Sequence, residues 1–299
     1  MPEVLVISGK GGTGKTSLTG AFACLAGEEL VLCDLDVDAP DLHLILEPRP
    51  VRNEDFYSGV EAEIDPAGCD GCGTCAEVCR FEAVAPREDG TYRVDPLRCE
   101  GCSVCAHFCP TETISLKQPH CGRWHISETR VGPMVHAQLF PGQENSGKLV
   151  ALLRQQAREL ADEKGIGLIL SDGPPGVGCP VISSLSGTHL AVGVTEPTLS
   201  GLHDLKRVLE LCRHFKVPTM VVINKYDLNP EVSDQIEEFC RGGGIPLAGR
   251  IPFDPAFGEA IVQGKTAGEW LPPDKRRPLE DAWQAVRQRL RELEAGAKD

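Results

Sequence analysis

Eight residues near the start of the chain have the types and spacing of a phosphate-binding loop. Gly9 to Thr16 read Gly-Lys-Gly-Gly-Thr-Gly-Lys-Thr and follow the apolar run Val4 to Ile7. A strand that ends in such a loop and continues into a helix aims backbone N–H groups and the helix dipole at one point. A polyphosphate fits there, with Lys15 reaching its β- and γ-phosphates and the Thr16 hydroxyl holding Mg²⁺. The predicted nucleotide-binding residues of the loop are Gly9, Lys10, Gly11, Gly12, Thr13, Gly14, Lys15 and Thr16.

A dinucleotide-binding loop is the alternative interpretation of the same residues. Gly9, Gly11 and Gly14 form a Gly-x-Gly-x-x-Gly pattern, and Asp34 lies about 20 residues further on. Against this interpretation, Lys15 and Thr16 stand where a dinucleotide fold packs small residues. We therefore favour a loop that binds ATP.

Acidic residues follow two later apolar runs that we predict to be strands. Asp34, Asp36 and Asp38 follow the run at 30–33, and Asp172 follows another run further along the chain. In a doubly wound sheet the ligand lies beyond the carboxyl ends of the strands, so these acids are expected to face the nucleotide. Asp36 is interpreted as a solvated member of the group.

Eight of the fourteen cysteines form two copies of a Cys-x2-Cys-x2-Cys-x3-Cys motif. This is the pattern of bacterial ferredoxins with two clusters, in which the fourth cysteine of each motif reaches the other cluster. A zinc site would instead favour paired Cys-x2-Cys knuckles with four ligands per metal. We assign one [4Fe–4S] cluster to Cys69, Cys72, Cys75 and Cys109, and the other to Cys79, Cys99, Cys102 and Cys105.

Composition narrows the class of protein. The chain has 299 residues, a formal net charge of −14 and fourteen cysteines. We recognise no signal peptide and no apolar run of about 18 residues, which favours a cytoplasmic protein whose thiols bind metal. The acidic balance disfavours nucleic acid as a partner, since DNA affinity depends on Lys and Arg. His120, Cys121 and His125 form a loose group that we interpret as ordinary loop and strand positions, with a metal site as the alternative.

Lys10, directly after the first glycine of the loop, carries a family resemblance. A lysine at this position marks the deviant phosphate loop, and the chain resembles the ATPase family of MinD, ParA, Mrp and the nitrogenase iron protein. The resemblance implies that Lys10 crosses to the nucleotide of a partner subunit and stabilises transition-state charge, so that ATP closes a dimer. A solvated loop lysine is the alternative.

Further site residues follow from the same resemblance. It implies that Asp38 orients or activates the attacking water and that Asp34 acts through Mg²⁺ and its waters. Asp172 opens an Asp-x-Pro-Pro-Gly segment similar to that of the Mrp-type iron–sulfur carriers, and would hold Mg²⁺ through water. Asn224 would contact the base, while Asp227 completes an Asn-Lys-x-Asp sequence that leaves guanine as an alternative to adenine. Pro252 and Asp254 would line the base pocket.

Cys179 lies at the spacing from Asp172 at which the nitrogenase iron protein places a cluster ligand. An additional metal site shared between subunits is one hypothesis, and a small buried cysteine is the other. The resemblance also raises membrane binding, because MinD uses a terminal amphipathic helix for it. Here the stripe from Trp283 to Leu293 lacks a basic polar face, so we predict that it docks on the protein's own core and that membrane binding is absent.

The predicted fold is α/β, a doubly wound and mostly parallel sheet of the SIMIBI type of P-loop NTPase, with an inserted small α+β ferredoxin domain. The predicted bounds are 1–55 and 119–299 for the ATPase domain and 56–118 for the insertion, with 47–60 as a linker. A helix is predicted over 145–164, and a strand over 167–171 that ends in a Gly/Pro turn.

The function expected on this resemblance is an ATPase whose nucleotide-driven dimer cycle is coupled to electron transfer or to metallocluster assembly on a partner. The expected cofactors are ATP, Mg²⁺ and two [4Fe–4S] clusters. The expected partners are a second copy or a paralogous ATPase, and a redox or metallocluster client protein. The alternative is a positioning ATPase like MinD or ParA whose clusters sense redox state.

Overall fold

The structure, a computed structural model, describes residues 1–27, 30–143 and 146–296. Within this part of the chain one sheet has nine strands, in the order β13-β12-β11-β1-β10-β2-β9-β8-β3. The strands are β1 (Glu3–Ser8), β2 (Val31–Asp34), β3 (Arg49–Tyr57), β4 (Glu61–Ile64), β5 (Val84–Pro86), β6 (Tyr92–Val94), β7 (Ile114–Lys117), β8 (His120–Thr129), β9 (Gly132–Leu139), β10 (Ile169–Pro175), β11 (Leu190–Thr195), β12 (Thr219–Asn224) and β13 (Leu247–Ile251).

Helices connect most of these strands, as expected for parallel neighbours. They are α1 (Lys15–Leu25), α2 (Leu42–Leu46), α3 (Thr74–Glu77), α4 (Val104–His107), α5 (Ser146–Lys164), α6 (Cys179–Leu185), α7 (Leu199–His214), α8 (Pro230–Gly242), α9 (Ala256–Val262), α10 (Ala267–Trp270) and α11 (Pro273–Gly296). A 3-10 turn covers Tyr226–Leu228. The first residue of the helix predicted over 145–164 lies outside the described residues, and the rest forms α5.

The centre of the large sheet is parallel. β1 pairs in parallel with β10 on one side and with β11 on the other. The parallel pairing continues through β2 to β9 and through β12 to β13. Every residue of β1, β2 and β11 is buried, which explains the continuous apolar runs of the sequence, because both faces of a central parallel strand are covered. The mostly parallel α/β fold predicted from the sequence is confirmed.

Two boundary predictions were wrong. Residues 47–60 are not a linker, because Arg49–Tyr57 forms β3 at the edge of the large sheet. Phe56 is the one buried residue of β3. Because both faces of this edge strand are exposed, its sequence does not alternate between apolar and polar residues. The strand predicted to end at residue 171 continues to Pro175, which pairs with Ser8 after a register shift in β1. Gly173 and two prolines resemble a turn in sequence, although here they extend a strand.

The chain divides into two compact units. The described residues of unit 1 are 1–27, 30–54, 124–138 and 146–296, and those of unit 2 are 55–123 and 139–143. Unit 1 contains the parallel part of the large sheet. Unit 2 contains two small antiparallel pairs, β4 with β7 and β5 with β6, together with both cysteine motifs.

Helix α11 covers the core of unit 1 with the apolar stripe predicted from the sequence. Trp283, Val286 and Leu290 are buried in the main hydrophobic cluster, and Leu293 packs against it. The ring centroids of Trp283 and Phe22 are 5.0 Å apart, which joins α11 to α1. Docking of this helix on the protein's own core is confirmed. Across the described residues, no helix is both long and apolar enough to span a membrane.

Candidate functional site

The carboxyl ends of the parallel strands open into a cavity of about 780 Å³. The phosphate-binding loop forms its floor, with Gly14 at a φ of 90° where the chain turns into α1. A side chain on Gly14 would meet the Asn224 amide, because an ideal Cβ would lie 2.3 Å from its Nδ2. Predicted site residues that line the cavity are Gly11, Gly12, Thr13, Gly14, Lys15, Thr16, Asp38, Asn224, Pro252 and Asp254.

Lys15, Thr16 and Asp172 form the charged centre of this cavity. The Lys15 Nζ lies 3.0 Å from Asp172 Oδ1, and the Thr16 hydroxyl donates to Asp172 Oδ2 at 2.6 Å. Thr19, one turn further along α1, donates its hydroxyl to Asp172 Oδ1 at 3.0 Å. Burial opposes the charged form of Lys15, but Asp172, Asp34 and Asp36 outweigh burial and raise the pKa of its ammonium. Lys15 is therefore a positively charged side chain that buried carboxylates hold in place.

Asp34 and Asp36 extend this charged centre from the end of β2. Asp34 is fully buried and accepts hydrogen bonds from the backbone N–H groups of Asp36 and Leu42 at 3.2 and 3.3 Å. Burial, and then the charge of Asp172, raise the pKa of Asp34 well above its usual range. A Mg²⁺ ion fits this donor set, because Mg²⁺ binds through one or two carboxylates plus phosphate oxygens and water. Thr16, Asp34 and Asp172 are the residues that would hold it.

Asp36 is the residue that the sequence analysis missed. It is half-buried, not solvated, and its Oδ2 lies 3.9 Å from Lys15 Nζ. Burial raises the pKa of Asp36 to about 6 in spite of the lysine. Asp38 differs from it in being exposed at the cavity wall. Successive residues of an extended segment point to opposite sides, so a spacing of two predicts that all three acids share one side. The strand ends at Asp34, so this spacing did not tell that Asp36 faces inward while Asp38 is exposed.

Lys10 does not line the cavity. Its Nζ lies 2.7 Å from Glu196 Oε1 and donates to the hydroxyls of Thr198 and Ser200 at 3.3 and 3.1 Å. Thr198 is the N-cap of α7, and its hydroxyl accepts the backbone N–H of Gly201. Lys10 is therefore held by its own chain at the start of α7, and nothing in its sequence neighbourhood identified Glu196 as its partner.

Asn224 and Asp227 position loops around the cavity. The Asn224 amide donates to Thr13 O at 2.7 Å and its oxygen accepts the Lys225 backbone N–H at 3.0 Å. Asp227 Oδ1 accepts the backbone N–H of Phe253 at 2.7 Å. These contacts fasten the phosphate-binding loop and the 252–254 segment to the end of β12. The contact of Asn224 with a base stays a prediction.

The cysteine motifs of unit 2 line two separate cavities. The first cluster site, as we call it, is lined by Cys69, Cys72, Cys75 and Cys109. The second cluster site is lined by Cys79, Cys99, Cys102 and Cys105. The fourth cysteine of each motif thus lies at the cavity of the other motif, and we call Cys79 and Cys109 the crossing cysteines. In the described part of the chain no three His, Cys, Asp or Glu side chains are arranged to bind one metal ion directly. Four thiols around one cavity are the donor set of a [4Fe–4S] cluster, so the residues present fit that group.

Hydrogen bonds reach the sulfur atoms of both crossing cysteines. The Cys79 Sγ accepts the backbone N–H of Ala83 at 3.4 Å. The Cys109 Sγ lies 3.5 Å from the Thr111 hydroxyl. Burial would raise the pKa of Cys109, but hydrogen bonds from the Thr111 hydroxyl and from nearby backbone N–H groups together outweigh burial and lower it. A lowered pKa favours the thiolate form that iron requires.

Three further residues considered as metal ligands are Cys121, His125 and Cys179. The Cys121 thiol is buried and donates to Ser58 O and Pro119 O at 3.2 and 3.3 Å. His125 Nδ1 lies 2.6 Å from Asn53 Oδ1. Cys179 is exposed at the start of α6, so the alternative of a buried cysteine is wrong, while its role as a ligand stays a prediction.

Comparisons with known proteins agree with this geometry. The chain matches the CobQ/CobB/MinD/ParA nucleotide binding domain over residues 4–267. It is 36% identical over 232 residues to the uncharacterized protein MJ0578 of Methanocaldococcus jannaschii, covering 76% of this chain and 79% of that protein. It is 24% identical over 289 residues to the cytosolic Fe-S cluster assembly factor CFD1 of Phaeosphaeria nodorum, covering 87% and 84%.

Among solved structures, the cell division ATPase MinD of Pyrococcus furiosus superposes with a TM-score of 0.56 at 18% identity, covering 96% of this chain and 98% of that chain. At this identity the likeness concerns the fold. The match over most of the chain, together with a phosphate-binding loop whose Lys15 and Thr16 meet Asp172, shows the family. The chain belongs to the CobQ/CobB/MinD/ParA family of P-loop nucleotide-binding proteins.

Proposed function

We propose that this protein is an ATPase that carries two [4Fe–4S] clusters and couples a nucleotide-driven dimer cycle to electron transfer or to metallocluster assembly on a partner. The observation that carries the proposal is the lining of two cavities by four cysteines each, in the same chain as a phosphate-binding loop. The clusters would supply one-electron chemistry or transferable iron and sulfide.

The residues of unit 1 provide the groups that hydrolysis of ATP needs. The Lys15 ammonium neutralises charge on the β- and γ-phosphates, and the backbone N–H groups of the loop bind their oxygens. Before nucleotide binds, Asp172 is the counter-ion of Lys15 and the acceptor of the Thr16 hydroxyl. Asp38, exposed at the cavity wall, orients the attacking water and accepts its proton.

Lys10 adds a step that involves two subunits. In the single chain its ammonium is bound by Glu196, Thr198 and Ser200. To reach a nucleotide held by a partner subunit, it must leave these residues. Closure of the dimer would then exchange the carboxylate of Glu196 for phosphate oxygens as the counter-charge of Lys10. The partner is a second copy of this chain or a paralogous ATPase.

The client is a redox protein or a protein that receives a metallocluster. The relative named a cytosolic Fe-S cluster assembly factor supports the second kind of client, since it aligns with 87% of this chain. We place the protein in the cytoplasm, where reduced thiols remain available to iron. We propose neither nucleic acid nor membrane as a partner.

The test is an anaerobic redox titration of the purified protein, followed by electron paramagnetic resonance, with and without Mg²⁺ and a non-hydrolysable ATP analogue. We expect about eight iron atoms per chain. We also expect a midpoint potential that shifts with nucleotide, since linkage requires redox state and nucleotide affinity to change each other equally. Iron-free protein after anaerobic purification and reconstitution would overturn the proposal, as would sedimentation with liposomes or DNA that depends on ATP but not on iron.

A further inference from the structure

The two cluster sites are built on the same backbone. Helices α3 and α4 occupy corresponding places in the two motifs, and each is followed by the crossing cysteine. Corresponding residues also share left-handed φ values, at Gly71 and Gly101 (76° and 63°), Gly73 and Ser103 (79° and 66°), and Glu82 and Glu112 (53° and 51°). The two sites therefore differ through their side chains and not through the course of the chain.

The side chains after the crossing cysteines differ in polarity. Cys109 is followed by Pro-Thr-Glu-Thr-Ile, and Cys79 by Arg-Phe-Glu-Ala-Val. Thr111 therefore corresponds to Phe81, and Thr113 to Ala83. Thr111 lines the first cluster site and its hydroxyl lies 3.5 Å from the Cys109 Sγ. Phe81 lines the second cluster site and offers no donor there.

Apart from Thr111 and Phe81, both cluster sites have apolar side chains as well as hydroxyl groups, and the apolar residues of the first site are Ile64, Pro110 and Ile114. The first cluster site also includes Tyr92 and Thr113. The Thr113 hydroxyl is engaged by Asp65 O at 2.9 Å, which leaves Thr111 as the side chain placed to donate to sulfur. The second cluster site has one hydroxyl, that of Ser103, which donates to Gly101 O at 3.3 Å. Its aliphatic and aromatic side chains are Ala62, Phe81, Ala83, Val84, Val94 and Val104.

The charged side chains near the two cluster sites do not offset the difference between Thr111 and Phe81. Asp70 lines the first cluster site and Glu100 the second, so each site has one carboxylate after its first cysteine. Arg80, which follows Cys79, is exposed, so water and salt screen its charge.

A backbone N–H donates to each crossing cysteine, that of Ala83 to the Cys79 Sγ at 3.4 Å and that of Thr113 to Cys109. The Thr111 hydroxyl is therefore an additional donor that the first cluster site has and the second lacks.

Reduction adds one negative charge to a cluster. A donor aimed at a ligating sulfur stabilises the reduced form and raises the potential, whereas an apolar lining that excludes water does the opposite. We propose that the Thr111 hydroxyl gives the cluster of the first site the higher reduction potential, so that the first electron accepted by the pair resides there. This inference rests on the proposed function, because it requires both clusters.

The test uses the full chain with both clusters, titrated anaerobically with dithionite as the electron donor and followed by electron paramagnetic resonance. The wild type is expected to show two one-electron steps. Thr111→Val, which removes the hydroxyl at constant volume, should lower the midpoint of the upper step and leave the lower step unchanged. Thr111→Ser keeps a hydroxyl and should restore the wild-type midpoint. Thr91→Val removes a hydroxyl bound to Asp89 in an exposed turn and should change neither step.

A reciprocal variant tests the other site. Phe81→Thr places a hydroxyl at the position that corresponds to Thr111 and should raise the midpoint of the lower step. The inference is overturned if Thr111→Val moves the lower step, or leaves both steps in place while iron content stays at the wild-type value. A wild type that binds no iron would instead contradict the proposed function, so the two failures are distinguishable.

Discussion

Glu196 forms ion pairs with Lys10 and Lys225 at the same time. Its Oε1 lies 2.7 Å from the Nζ of Lys10, and its Oε2 lies 3.3 Å from the Nζ of Lys225. Burial would raise the pKa of Glu196, but the two ammonium groups outweigh burial and lower it. Lys225 also donates to the Gly12 carbonyl at 3.1 Å, so this carboxylate joins the start of α7 to the phosphate-binding loop. Lys225 lines the nucleotide cavity, so a phosphate that binds its ammonium must compete with Glu196.

Glu196→Gln should therefore tighten the binding of a non-hydrolysable ATP analogue. The amide keeps the shape of the side chain but removes the counter-charge of Lys10 and of Lys225, which lines the cavity. We expect an affinity about three- to tenfold higher, or about 1 kcal/mol, the size of one partly exposed ion pair. Isothermal titration calorimetry with Mg²⁺ present measures it.

Glu210→Gln is the matched control, because Glu210 is an exposed acid on the same helix α7. This variant changes the net charge equally and should leave the affinity unchanged. Weaker binding of the nucleotide by Glu196→Gln would show that the carboxylate supports the site and does not restrain its lysines.

Lys15→Met should lower the stability of the nucleotide-free protein as well as abolish nucleotide binding. Lys15 is buried between Asp172 and Asp36, at 3.0 and 3.9 Å, and its loss leaves buried carboxylates without a cation. Removing one partner of a buried ion pair costs about 3 kcal/mol. We expect a lower urea midpoint for Lys15→Met and a change below about 1 kcal/mol for Lys10→Met, whose partners are partly exposed. Equal effects of both variants would contradict this account.

The sequence predicted that Lys15 and Asp172 face one nucleotide site, but it predicted neither their ion pair nor that of Lys10 with Glu196. Parallel strands end at one edge of a sheet, so an acid that follows a central strand must lie near a loop that follows its neighbour. The partner of Lys10 depends on where α7 begins and how Thr198 caps it, which no local pattern encodes. The edge strand β3 was missed for a related reason: with both faces exposed, it carries no burial pattern to read.

The assignment of cysteines to clusters predicts which Cys→Ser variants alter the signal of the same cluster. Cys79 belongs to the first motif by sequence but lines the second cluster site with Cys105. Cys79→Ser should therefore alter the same spectral signal as Cys105→Ser, and Cys75→Ser should alter the other. Electron paramagnetic resonance of the reduced variants, with iron measured in each sample, provides the comparison. If Cys79→Ser groups with Cys75→Ser, each motif binds its own cluster and the crossing is wrong.

His136 should make stability depend on pH. Its Nε2 lies 2.8 Å from the Ser127 hydroxyl, and its ring lies 5.0 Å from that of His125. Burial, then the charges of His125 and His43, lower the pKa of His136 to about 4. The folded state thus favours neutral His136, and its contribution is complete above the unfolded pKa of about 6.5 and is lost as the pH falls toward 4.

At pH 5.5 about 1 kcal/mol of this contribution should be gone, because the unfolded chain has already bound the proton that the folded protein excludes. Urea midpoints at pH 7.5 and 5.5 measure the loss in the wild type. His136→Gln keeps an acceptor for Ser127 but does not titrate, so its midpoint should fall less over the same interval. His189, whose pKa is also lowered by burial, is present in both proteins and cancels in the comparison. Parallel losses in the wild type and the variant would show that His136 takes up its proton equally well when folded.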